Sequence, residues 1–194
     1  MNSSKYKLMK TEKLESAPDV YYPEKHPEIV HDESPSLDVF TDFKSKHAEM
    51  ISPNALTKEA LEKMKVNKIK SLLVQRNNKI IGVVTNKHIQ GVKAGETAQA
   101  MSIKMTELTV DMVMVKWENL VYINYKDLSN ARVGHIKEIM HCKNVNYCLV
   151  VEHCPNEKPW IRGIFSAARI SRQLGEEVSG DLHTTNISDL SKRD

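Results

Sequence analysis

The sequence predicts an α+β fold (α/β-type) of two small units in tandem, each a three-stranded sheet with helices packed on it. Three observations predict it. One order of apolar patterns occurs twice in the middle of the chain. Each copy holds two strand-like runs, the second closing on Gly, two hydrophobics and a hydroxyl residue. Polar segments flank the pair at both ends.

In the first copy, Leu56 and Leu61 flank Thr57 as a hydrophobic staple flanks an N-cap. Ala60, Leu61 and Met64 share a helical face, so a helix is expected over 58–66. The runs 69–74 and 79–84, joined at Arg76, Asn77 and Asn78, specify a β-hairpin. Thr85 can cap the helix that follows over 86–90, and Gly91 ends it. The second copy begins with a short strand over 120–123. Asn124 is its candidate N-cap, with Asp127 three residues on, and Leu128, Ala131, Ile136, Ile139 and Met140 lie along a helix. Its hairpin pairs 147–151 with 160–165 through a longer loop containing Pro155 and Pro159. Ser166 takes the place of Thr85, and Ile170 that of Ile89. Each copy spans about sixty residues, the lower edge of what folds alone, so one is expected to pack on the other.

Bulk properties narrow the class. The 194 residues are 40% hydrophobic and 27% charged, which suits a globular protein and excludes disorder as a description of the whole. A formal charge of +3, from 28 basic and 25 acidic residues, makes no strong field. Lys65, Lys68, Lys70, Arg76, Lys79 and Lys87 alternate with apolar residues as a solvated face does, so nucleic-acid binding is not expected. Residues 1–33, with Pro18, Pro23 and Pro27, read as an extended or disordered arm that Tyr21 and Tyr22 could dock on the body. The organisation expected is this arm, a first unit over 34–95, a linker and second unit over 96–175, and a polar tail over 176–194. Lys5, Lys7, Lys10 and Lys13 precede no apolar stretch. Neither a signal peptide nor a membrane span is read there, and a cytoplasmic location is expected.

Cys142, Cys148 and Cys154 are an odd set crowded into one segment, which suits reduced thiols better than a disulfide framework. The doublets His141-Cys142 and His153-Cys154 have zinc-ligand chemistry. The strand between them, at about 3.3 Å per residue, would hold them roughly 20 Å apart, so no metal is expected. There is no glycine-rich phosphate loop, HExxH pair or serine elbow, and Glu59, Glu62, Glu107 and Glu138 sit at helical surface spacing. No catalytic residues are nominated and no enzymatic activity is expected.

The runs Gly82-Val83-Val84-Thr85-Asn86-Lys87-His88-Ile89 and Gly163-Ile164-Phe165-Ser166-Ala167-Ala168-Arg169-Ile170 resemble the closing motif of CBS (cystathionine-beta-synthase-type) domains. That motif reads Gly, two hydrophobics, Thr or Ser, two variable residues, Asp, hydrophobic. The segments 38–42 and 111–115 look like the lead-in to each copy, and the resemblance covers about residues 37–175. It is closest to stand-alone bacterial CBS pairs. It implies a pseudo-twofold unit with two clefts, a homodimer formed through the CBS helices, and a regulated protein as partner. It also implies an adenosine-containing ligand (AMP, ADP, ATP or S-adenosylmethionine) with no required cofactor. The ligand-binding residues it implies are Val39, Phe40, Thr41, Ser52, Pro53, Thr85, Lys87, His88, Met114, Ile123, Phe165, Ser166 and Arg169.

At the motif itself, Gly allows close backbone approach, the hydroxyl offers a hydrogen bond, and the N–H groups of the next helix attract phosphate. Where the family places Asp, this chain has His88 and Arg169. A carboxylate only accepts and an arginine only donates, so Arg169 cannot accept from a ribose diol but can pair with phosphate or carboxylate. His88 would join as a phosphate partner below about pH 6.5. Two main readings stay open: a nucleotide-sensing regulatory module, or a ligand-free dimerisation and docking scaffold in which Thr85 and Ser166 only cap helices; weak nucleic-acid binding through the lysines around Lys65 to Lys87 is a minor third. Phe40, Trp160 and Phe165 are expected in packing, with base stacking as the alternative.

Overall fold

The computed structural model describes residues 27–155 and 157–178. Expectations for Tyr21, Tyr22 and most of both terminal segments lie outside these residues. Two four-stranded sheets form the body. The first is built from β2 (Met50–Ile51), β3 (Ser71–Arg76), β4 (Lys79–Thr85) and β5 (Val115–Lys116). The second is built in the order β1 (Thr41–Asp42), β8 (Trp160–Ser166), β7 (Tyr147–Glu152), β6 (Tyr122–Asn124). In each, the lead-in strand runs parallel to the first hairpin strand and all other pairings are antiparallel. Each three-stranded sheet expected from sequence therefore carries a fourth, two-residue strand.

That fourth strand is exchanged between the units. β1 leads into the first unit's helix and hairpin but pairs with β8 of the second unit, Thr41 opposite Ile164. β5 follows the first unit and pairs with β4, Val83 opposite Val115. The segments 38–42 and 111–115 thus each join the sheet of the other copy than the one they lead into. The motif glycines are the reason they fit. A Cβ on Gly163 would stand 2.2 Å from the Thr41 carbonyl and 2.4 Å from the Phe40 ring; on Gly82 it would stand 2.5 Å from the Val115 carbonyl. The close approach expected of these glycines is made by a strand of this chain. Both hairpins also shift register at the same place, between Val74 and Gln75 and between Val150 and Val151.

Residues 72–74 are buried in succession because the sheet is covered on both faces. Leu72, Val74 and Val84 meet Ala60 and Met64 of α1 (Thr57–Val66), whereas Leu73 and Val83 meet Tyr147, Leu149 and Ile164 of the second sheet. On the far side of the second sheet, Val150 and Phe165 pack with Ile136 and Met140 of α5 (Val133–Cys142) and Ile170 of α6 (Ala167–Leu174). The first hairpin turns at Asn77 and Asn78, φ 51° and 59°, the left-handed pair that a two-residue turn requires.

Three local expectations are corrected. Thr57 is not the cap of α1 but its first residue. Leu56, whose side chain cannot cap, stands at the N-cap, and the Thr57 N–H donates to the Leu108 carbonyl. Leu128 and Met140 do not share one helix: a 3₁₀ turn (Tyr125–Asn130) ends where Ser36 N–H bonds the Ala131 carbonyl, and α5 starts after Arg132. Asn124 caps that turn, its Oδ1 accepting from Lys126 N–H. Gly91, at φ −82°, ends α2 (Asn86–Gln90) in extended conformation and starts α3 (Val92–Ala100), a helix absent from the repeat pattern. Short α4 (Val110–Val113) leads into β5.

Candidate functional site

A cavity of about 830 Å³ opens between the two units. One wall is the corner from β8 into α6, with Ile164, Ser166 and Arg169. The facing wall is the run from the end of α1 into β3, with Lys68, Lys70 and Ser71. Thr41 of the exchanged strand lies between them. Arg172, one turn beyond Arg169, adds a second guanidinium, and Lys46 and His47 border the rim. Glu28 and Glu49 are the acidic residues lining it.

Arg169 governs the geometry of this cleft. Its Nη1 donates to Thr41 Oγ1 at 3.0 Å and its Nε to Gln173 Oε1 at 3.1 Å, so α6 is tied across to β1. No carboxylate pairs with it among the described residues. Burial, and then the neighbouring Arg172, lower its pKa, the mark of a cation held in a partly dry, positive setting. Arginine stays charged through such a shift, so an anion arriving here would meet guanidinium groups unneutralised by acid.

The corner from β4 into α2 is arranged differently. Thr85 Oγ1 accepts from His88 N–H and His88 Nδ1 accepts from Thr85 N–H, both at 3.2 Å, a reciprocal capping box. The helix over 86–90 is thus capped as expected. The phosphate role expected of His88 is corrected: burial, then Lys93 and Lys87, push its pKa down to about 4, so the ring is neutral at physiological pH and its acceptor nitrogen is already engaged. Its edge meets the Tyr147 ring, centroids 6.4 Å apart. Ser166 makes no such cap; α6 starts without a side-chain bond.

Of the thirteen residues that the resemblance implied, Thr41, Ser166 and Arg169 come together in the cavity. Val39, Phe40 and Phe165 are buried in the helix-side core of the second unit. Phe40 and Phe165 pack with centroids 5.1 Å apart, which places them in packing and away from base stacking. Ile123 packs at the margin of that core, and Met114 lies against Gly82 and the first core. Exposed Ser52 accepts from Asn54 N–H, buried Pro53 gives its carbonyl to Asp111 N–H, and Lys87 is exposed on α2. Trp160 is exposed at the hairpin tip, its Nε1 donating to Glu157. In the sequence Lys68 and Lys70 carry only the pattern of ordinary surface charge and Arg172 lies outside the motif; the match of the two copies at the step from helix to strand is the signal that sets the lysines apart. Among the described residues no three His, Cys, Asp or Glu side chains are grouped to hold a metal.

Residues 39–94 match the family model of the CBS domain. No curated protein matches the chain. Among solved structures, an uncharacterized conserved protein from Pyrococcus horikoshii is similar at 19% identity, over 73% of this chain and 92% of its own, with a TM-score of 0.51. A CBS-domain containing protein from Agrobacterium tumefaciens is similar at 16% identity, over 80% of this chain and 98% of its own, also with a TM-score of 0.51. At such identities the likeness is one of fold.

Proposed function

Because the chain carries a CBS domain over residues 39–94 and has the fold of a CBS-domain protein, we propose that it is a regulatory, non-catalytic module that binds an adenosine-containing nucleotide in the cleft between its units. The observation that carries this reading is the cavity of about 830 Å³ with Thr41, Ser166 and Arg169 on its walls, where Arg169 has no carboxylate partner among the described residues. A mononucleotide fits a space of that size. Thr41 and Ser166 supply hydroxyls, and Arg169 with Arg172 supplies charge for the phosphate. Homodimerisation through the helices and a cytoplasmic location belong to the same reading. No helix among the described residues is long and apolar enough to cross a membrane. Calorimetric titration of the full chain with AMP, ADP, ATP and S-adenosylmethionine tests it: saturable heat is expected, and the absence of heat and of thermal shift at millimolar ligand overturns it.

The scaffold reading draws on a different observation. Arg169 already bonds Thr41 and Gln173, so its donors are partly engaged within its own wall of the cleft. That reading expects the Thr85→Ala and Arg169→Ala variants to keep every partner, and loss of a small-molecule response in either variant removes it.

A further inference from the structure

The two clefts of the repeat are not equivalent, and the register between the copies shows where they part. Ile69 N–H bonds the Met64 carbonyl as Val145 N–H bonds that of Met140, both at 3.0 Å. Lys68 and Asn144, the residues before them, share the left-handed conformation at φ 54° and 51°. Asn86 N–H meets the Lys70 carbonyl as Ala167 N–H meets that of Asn146. Ser71 pairs with Thr85 as Tyr147 pairs with Ser166. The correspondence is therefore Lys68 with Asn144, Lys70 with Asn146, Ser71 with Tyr147, Arg169 with His88 and Arg172 with Gly91.

Each of the cations on the walls of the first cleft is thus replaced by a neutral residue in the second. Where Ser71 leaves room, the phenol of Tyr147, 4% exposed, lies against the His88 ring. A tyrosine buries on the order of 150–250 Å² and fills space that a serine leaves open. Lys87 and Lys143 do stand where the first cleft has Ala168 and Asn67, but both are exposed. They enrich the outside of the second cleft and do not open it.

We infer that the chain has a single ligand site, the first cleft, which selects for phosphate charge through Lys68, Lys70, Arg169 and Arg172, and that Tyr147 closes the second. This rests on the nucleotide reading for its ligand but not for the closure. A ligand bearing several phosphates is held more tightly than its nucleoside, and the cationic sulfonium S-adenosylmethionine is disfavoured.

The test has two arms. In calorimetry of the full chain with ATP, one ligand per chain is expected. The double variant Lys68→Asn, Lys70→Asn, which copies the second cleft into the first, is expected to weaken binding by about tenfold or more. Two ligands per wild-type chain, or unchanged affinity in the double variant, overturns the inference. The second arm needs no ligand. In a Cys142→Ser, Cys154→Ser background, Ser166→Cys and Thr85→Cys are labelled in turn with iodoacetamide. Ser166→Cys is expected to react faster by about an order of magnitude, and Thr85→Cys to speed up when Tyr147→Ser is added. Equal rates in the two clefts overturn the closure. Absence of ATP binding with unequal rates removes the nucleotide reading and the phosphate selection while the closure stands.

Discussion

The corners at Thr85 and at Ser166 occupy the same place in the repeat and do different work. At the first, histidine is short enough to fold back on its own strand, and its Nδ1 closes a capping box with Thr85. At the second, arginine has no acceptor to offer Ser166 N–H. It reaches away instead and fastens α6 to the exchanged strand at Thr41. The position three residues after the hydroxyl therefore separates two outcomes, local capping or a tie from α6 to the exchanged strand.

The contrast can be broken or sharpened by substitution. The largest effect is expected at the residue just before each corner. Phe165→Ala should cost about 3–5 kcal/mol in urea unfolding, because a fully buried ring against Phe40 is lost, whereas Val84→Ala in the first unit should cost about half as much. Similar losses would mean that the Phe165 site collapses when its ring is removed, against its packing on Phe40. Next come the motif glycines. Gly163→Ala should destabilise by about 3 kcal/mol and Gly82→Ala by less, since Gly163 faces a carbonyl and the Phe40 ring, while flexible Met114 is one of the two nearest neighbours of Gly82. The reverse order would show that the exchanged strands differ in rigidity from what these contacts imply.

A pH effect of about 2 kcal/mol follows from His88. Its folded pKa of about 4 lies below the ordinary 6.5. Between those values the unfolded chain binds the proton and the folded chain does not. The stability that neutral His88 confers is thus complete above pH 6.5 and is lost as pH falls towards 4. Unfolding midpoints measured across that window should fall, and should fall less in His88→Gln; an identical slope in the variant would assign the loss to other groups. Smallest is the cap itself. Thr85→Ala should cost about 1 kcal/mol and Ser166→Ala close to nothing, because only Thr85 accepts from its helix. Equal costs by thermal denaturation would erase the distinction between the corners.

Much of this was legible in the chain. The hairpins announce themselves through Asn77-Asn78 and the doubled Gly-hydrophobic-hydrophobic-hydroxyl run, and Thr85 is the cap that its residue type suggests. What escaped reading has physical causes. Strands of two residues, β1 and β5, carry no period that a pattern could reveal, so their exchange was invisible. Thr57 has the chemistry of a cap, but it is the first helical residue and its N–H bonds the Leu108 carbonyl, a long-range contact that no local pattern encodes. The clefts depend on residues that are dull singly, Lys68, Lys70 and Ser71. They gain meaning only when paired across space with Arg169 and across the repeat with Asn144, Asn146 and Tyr147.

The exchanged strands have one more consequence. A gene duplication would have copied a stretch that runs from lead-in segment to closing helix, yet neither stretch holds a complete sheet. Cut between the copies, the amino-terminal piece would lose β5 and bare the edge of β4, and the carboxy-terminal piece would lose β1 and bare that of β8. The stretch that repeats in the sequence is thus not the unit that closes a sheet. The two halves should melt in one cooperative transition, and neither half should stand as a protein of its own.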